Sequence, residues 1–295
     1  MFSDTHFHFH HLIERGLDGA GILAELVGRN MFFGLDIGTK CDDLLCRHAQ
    51  IQETAAKLPG QQRSAADEMI FYSAGIWPDV GEIRNRAESV RILEEQIGAF
   101  RRNESAGARG KSRLVAVGEC GIDHHWNPGG ADGRTESDFD KSVYEGEREL
   151  FQMQIELALK EGLPVIVHSR DAFSDTIDCI RNTGCQRGII HCYSYGKDEA
   201  RQFLDLGFHI AFGGATTYTK KARMDEMTEL LRFVPDDRIL LETDSPYLAP
   251  VPFRGQTNTP VLIEHCYSFV ARARGISAGE LSEIVDGNIR ELFGV

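Results

Sequence analysis

The stretch that decides the fold runs from Leu163 to Cys192. It reads LPVIVH (163–168), then SRDAFSDTIDCIRNTGCQ (169–186), then RGIIHC (187–192). Two short, continuously apolar runs enclose a segment that holds a helix over Phe173 to Asn182. Strands that are apolar throughout and alternate with helices belong to a parallel sheet covered on both faces, not to a sheet with one wet face. Both apolar runs end on a histidine.

The same alternation extends in both directions. Upstream lie a short strand around Phe2 to Thr5, then MFFGLDI (31–37), MIFYSAGI (69–76) and RLVAVG (113–118). Downstream lie FHIAFG (208–213) and RILLET (238–243). Further helical stretches fall at Glu145 to Glu161, Lys197 to Leu206 and Ala222 to Phe233. Eight strand-then-helix units predict a closed (β/α)₈ TIM barrel of α/β class. The 295 residues suit one such barrel with insertions, so residues 1–295 are expected to form a single domain. Two polar stretches, PGQQRSAADE (59–68) and RRNESAGARGKSR (101–113), read as exposed loops before strands. A third, NPGGADGRTESD (127–138), follows the fourth strand and is expected on the C-terminal face, where barrels of this kind keep their active sites.

Composition narrows the function. A net charge of −13 argues against a protein that coats nucleic acid through a basic face. An enzyme that draws its positive field from bound cations remains open. Seven cysteines without a CxxC pair predict reduced thiols instead of a disulfide framework. The N-terminus carries no basic-then-apolar leader, and no apolar run approaches the roughly 18 residues of a membrane span. A cytoplasmic location is expected, with no membrane and no obligate protein partner.

The chemistry lies in where the ligand-type residues fall. His6 and His8 end the first strand, and alternation puts positions i and i+2 on one face. Glu119 follows RLVAVG, His168 ends LPVIV, His191 ends GII, and Asp244 follows RILLET. In a parallel barrel those strand ends converge on one rim. Imidazoles bind first-row divalent cations, and a carboxylate can bridge two of them. The pattern predicts two divalent metal ions, Zn²⁺ or Mn²⁺ by ligand type, with Mg²⁺ also open through substrate oxygens. Glu119 and Asp244 are the catalytic carboxylates on this reading. His48, His209 and His265 fall away from the rim, and His10, His11, His124 and His125 are expected outside the ligand set. Cys120 and Cys192 are read as small buried residues.

The segments DTHFH (4–8), VGECGID (117–123), PVIVHSRDA (164–172), IIHCYS (189–194), LDLGFHIAFGG (204–214) and LLETDSPYLAPVPFRG (240–255) resemble the TatD family of metal-dependent deoxyribonucleases, in the amidohydrolase superfamily. The resemblance runs in order from residue 4 to about Asn288. It implies a two-metal site in which His6, His8, Glu119 and Asp244 serve one ion, and Glu119, His168 and His191 the other. It implies a DNA phosphodiesterase acting from the 3′ end on single-stranded or frayed DNA. The alternatives are a small-molecule ester or amide, such as a lactone or cyclic amide, or D-aminoacyl-tRNA. Trp77 stands in GIWP where the family pattern GxHP has histidine, and it either stacks on a base or packs the rim. Asp123 would orient a ligand group, and Arg254 would reach a substrate phosphate.

Overall fold

The computed structural model describes residues 2–107, 112–130 and 133–295. Eight strands, all parallel and in sequential order, form one sheet: β1 (Asp4–Phe7), β2 (Gly34–Asp36), β3 (Ile70–Ala74), β4 (Leu114–Asp123), β5 (Val165–Arg170), β6 (Gly188–Ile190), β7 (His209–Phe212) and β8 (Ile239–Leu241). Helices fill the connections, as parallel crossovers require. β1 and the segment after β8 close the sheet into a nearly complete barrel. Asp244 N–H donates to the His6 carbonyl at 2.8 Å, and His8 N–H donates to the Ser245 carbonyl at 2.8 Å. The TIM-barrel expectation is met.

Each expected strand is present. β4 is longer than RLVAVG, running on through Glu119 to Asp123, because it pairs with β5 out to Asp123 opposite Arg170. Gly121 makes that approach feasible: its φ is +153°, and a Cβ there would lie 1.9 Å from the His168 carbonyl oxygen. Two expected loops are corrected. Residues 59–68 are not a loop but enter the helix Gly60–Met69 behind Pro59. That helix buries Ala66 and Met69, one turn apart, so a mostly polar segment still has an apolar edge to seat. The helix Arg86–Gly107 likewise runs through the first part of 101–113, anchored by buried Leu93, Ile97 and Phe100. Residues 108–111 of that stretch, and 131–132 of the 127–138 loop, lie outside the described residues.

The core lies between strands and helices and is dominated by Val, Ile, Leu and Phe from both. His209 is an exception within it. It opens β7 at the end of the barrel opposite the rim, and it is buried. Neither ring nitrogen makes a well-formed hydrogen bond. Burial, then the nearby Arg238 charge, lower its pKa to about 4. A histidine depressed in the fold contributes stability that is complete above the unfolded value of 6.5 and is lost as pH falls toward 4. That shift is worth about 3 kcal/mol. His209→Leu should therefore stabilise the protein most at pH 4–5, in urea unfolding followed across pH. An equal gain at pH 8 and pH 4.5 would contradict the titration account.

Candidate metal centre

The six residues expected to meet do meet. All lie at the C-terminal rim, and each is placed by a strand. His6 and His8 project inward from the end of β1, with their Nε2 atoms 3.3 Å apart. Glu119, inside β4, reaches between two clusters. Its Oε2 lies 3.4 Å from His6 Nε2 and 3.7 Å from His8 Nε2. Its Oε1 lies 2.8 Å from His168 Nδ1 and 2.9 Å from His191 Nε2. Those last two nitrogens are 3.2 Å apart. Asp244 Oδ1 completes the first cluster, 3.5 Å from His8 Nε2 and 3.7 Å from His6 Nε2. Asp244 has φ +55°, a left-handed conformation that Asp tolerates better than most residues, and it turns the chain just past β8.

Donor spacing tests whether cations fit. Four donors held tetrahedrally at about 2.1 Å from an ion are about 3.4 Å from one another. In the first cluster the five separations that involve a ring nitrogen run from 3.3 to 3.7 Å. Among the described residues, three groups of donors could hold a metal ion: His6, His8 and Glu119; Glu119, His168 and His191; and His6, His191 and Glu242. The four imidazoles and two carboxylates suit a borderline divalent cation.

Charges in the cluster are coupled. Burial alone would raise the Glu119 carboxyl, but the His191 charge and hydrogen bonds from His168, His191 and His6 outweigh it and hold it well below the usual carboxylate range. Burial likewise works against His168. Asp123 Oδ2, 3.0 Å from its Nε2, and Glu119 reverse that and raise it to about 9. His191 is pushed well up by Glu119, against burial. The rings of His6 and His191 stack at 4.0 Å and 10°, so they resist carrying charge together. Burial and then the His191 charge push His6 down.

The remaining expected residues divide. Asp123 faces His168, as an orienting group would. Trp77 is half-buried, edge-on to His168 with centroids 5.9 Å apart, and the Arg134 guanidinium lies 5.1 Å from the indole centroid. Arg254 is exposed and rests on the Tyr218 ring at 4.4 Å. His124 and His125 stay outside the cluster, 3.2 Å from Glu147 and 2.7 Å from Asp171 respectively. Cys120 is fully buried, as read; Cys192 is only half-buried. Arg101 and Arg113 belong to the opposite end of the barrel, where Arg101 pairs with Glu161 and Arg113 binds the Glu68 carbonyl.

Sequence reasoning passed over three residues. Asp4 clasps the closure, accepting from Thr243 Oγ1 at 2.6 Å, Thr243 N–H at 3.0 Å and His6 N–H at 3.1 Å. Glu242 is completely buried behind the histidines. Arg170 ends β5 two residues beyond His168, so it projects from the same face. It is exposed, and its charge is felt at Cys192 beside His191. Alternation was the available signal for Arg170.

A barrel that gathers imidazoles and carboxylates on one rim in this way is the scaffold of a metal-dependent hydrolase. This chain belongs to the TatD-related DNase family, whose profile matches residues 3–294. It is 30% identical over 297 residues to YcfH of Escherichia coli strain K12, an uncharacterized metal-dependent hydrolase, covering 99% of this chain and 95% of that one. It is 32% identical over 189 residues to the 3′-5′ ssDNA/RNA exonuclease TatD of Pantoea vagans, covering 62% of this chain and 67% of that one. The solved structure of YJJV, a TatD homologue from Escherichia coli, superposes with a TM-score of 0.76 at 24% identity, covering 100% of this chain and 98% of that chain.

Proposed function

We propose that this chain is a two-metal phosphodiesterase that removes nucleotides from the 3′ end of single-stranded or frayed DNA. The observation that carries the two-metal reading is the division of Glu119, whose two oxygens face two separate pairs of ring nitrogens. His6, His8, Glu119 and Asp244 would hold one ion, and Glu119, His168 and His191 the other. When bound, such ions polarise a phosphoryl oxygen and lower the pKa of water. DNA as the substrate is supported by the family and by the exonuclease relative.

The chain's own residues supply the rest. Asp123 fixes the His168 ring so that Nδ1 faces inward. Asp244 is the more open of the two catalytic carboxylates, 13% exposed against 5% for Glu119. Burial is outweighed at Asp244 by His8, His6 and His191, so it stays ionised at neutral pH and can take a proton from water. Trp77 stands beside His168 for a base to stack on, and Arg170 and Arg254 offer guanidinium groups for phosphates.

The test incubates metal-loaded protein with labelled single-stranded DNA, RNA and a panel of lactones and cyclic amides, with Glu119→Ala as control. Cleavage of DNA from its 3′ end is expected. Robust hydrolysis of a neutral ester with no DNA cleavage at any salt would replace the nuclease with a small-molecule hydrolase, a reading the −13 charge favours. Each phosphate contact to a single strand adds about −0.7 to the log–log salt slope. For two to four contacts, kcat/KM on a short oligonucleotide should fall with salt at a slope of about −1.4 to −2.8. Arg170→Ala should lower kcat/KM and flatten that slope by less than one contact. A salt response unchanged by the substitution would remove Arg170 from the phosphate path.

A further inference from the structure

Behind the rim, on the side of the histidines away from Glu119, three buried polar atoms lack partners: His6 Nδ1, His191 Nδ1 and Glu242 Oε2. Unpaired polar atoms are costly in a barrel interior, and three together call for an explanation. Glu242 follows β8 and is 0% exposed. Its Oε1 accepts the Cys192 N–H at 2.6 Å, so the backbone just past His191 fixes the carboxylate. The same oxygen lies 3.6 Å from His191 Nδ1. One donor atom from each of His6, His191 and Glu242 falls within 4.8 Å of the others. The two rings stack in parallel at 4.0 Å, which brings them together in front of one carboxylate.

We propose that Glu242 is a positioning residue for the metal centre: its carboxylate takes the Nδ1–H of His191, 3.6 Å away on the side of the ring opposite Glu119, and leaves Nε2 as a lone-pair donor toward the centre. The inference rests on the reading of His6 and His191 as metal ligands. A neutral imidazole carries one N–H, and the hydrogen bond on one nitrogen decides which nitrogen is free to bind. Both Nε2 atoms already face Glu119, so Nδ1 is the atom that must hold the proton. The enclosed position of Glu242 makes a third cation beside it a poor alternative, because each ring would then have to give up its only proton. His6 stacks on His191, so the ring that Glu242 orients also bears on the other cluster.

The experiment loads wild type, E242Q and E242L with Zn²⁺ and measures affinity by chelator competition. Imidazole ¹H–¹⁵N correlations are recorded on the same samples. Wild type should show a His191 Nδ1–H resonance shifted downfield by a carboxylate acceptor. E242L should weaken zinc binding about 10–100-fold, the usual cost of losing such a partner, and should move the His191 signal upfield while leaving those of His8 and His168. E242Q preserves shape and a neutral acceptor, and should fall between the two. Circular dichroism reports folding, and if E242L fails to fold, E242Q decides. Zinc on wild type with unchanged affinity and unmoved resonances in the folded variants overturns this proposal alone. No zinc on wild type overturns it together with the ligand reading beneath it.

Discussion

Replacing Glu119 with Ala should strip metal from both positions and lower hydrolysis by on the order of 10³-fold or more. The size follows from geometry. Glu119 puts one oxygen beside His168 and His191 and the other beside His6 and His8. Without it, His168 and His191 face each other at 3.2 Å, and His6 and His8 at 3.3 Å, with their main counter-charge gone. Asp244 would remain for His6 and His8, so the residual affinity should belong to that pair. Glu119→Asp has a shorter arm and should serve one cluster at the expense of the other. Metal content by elemental analysis, read beside turnover on single-stranded DNA, separates these cases. An alanine variant that keeps two ions and works within tenfold of wild type would remove Glu119 from the centre of the account.

Metal uptake should be strongly pH-dependent and should release protons. The metal-free fold holds His168 as an imidazolium between Asp123 and Glu119, raised to about 9 against the opposing effect of burial. A raised histidine contributes stability that is complete below the unfolded value of 6.5 and is lost as pH climbs through 9. Cation binding needs the neutral ring and so competes with that proton. Affinity should therefore rise about tenfold per pH unit between pH 6.5 and 9 on account of His168 alone, then level off. The metal-free protein should lose stability over that range, while the metal-saturated protein should not, because its His168 ring is already neutral. Calorimetric titration in buffers of different ionisation enthalpy counts the protons released. Asp123→Asn should lower the His168 value, shift the metal-affinity curve toward acid and reduce proton release at pH 7.5. A proton count of zero at pH 7.5 in wild type would exclude the imidazolium starting state.

The fold was legible because buried parallel strands carry their signal in every residue. VIV, GII and ILL have no polar face, and their spacing leaves room only for helices. The rim was legible for a related reason: polar residues at the ends of such strands have one place to go. His6, His8, Glu119, His168, His191 and Asp244 could be read from strand ends alone. Asp4 and Glu242 could not. A carboxylate one or two residues from a ligand looks like part of the same turn until its partners, Thr243 for one and Cys192 with His191 for the other, are seen. The polar helix Gly60–Met69 was missed because only two residues of its apolar edge are buried. The position of Arg101 and Arg113 depended on which end of the barrel their connection crosses, and strand direction decides that.

Barrel closure joins His6 and His8 directly to Asp244 and Ser245 through backbone hydrogen bonds. Of the eight strands β1 is the first to leave the ribosome, and the segment it closes against follows the eighth. A nascent chain that has emerged through β7 already carries five of the six metal-centre residues, yet His6 and His8 have no strand to close against and Asp244 is still inside the tunnel. The candidate metal centre is thus completed only after the eighth strand, and a translation product halted anywhere before residue 244 lacks it.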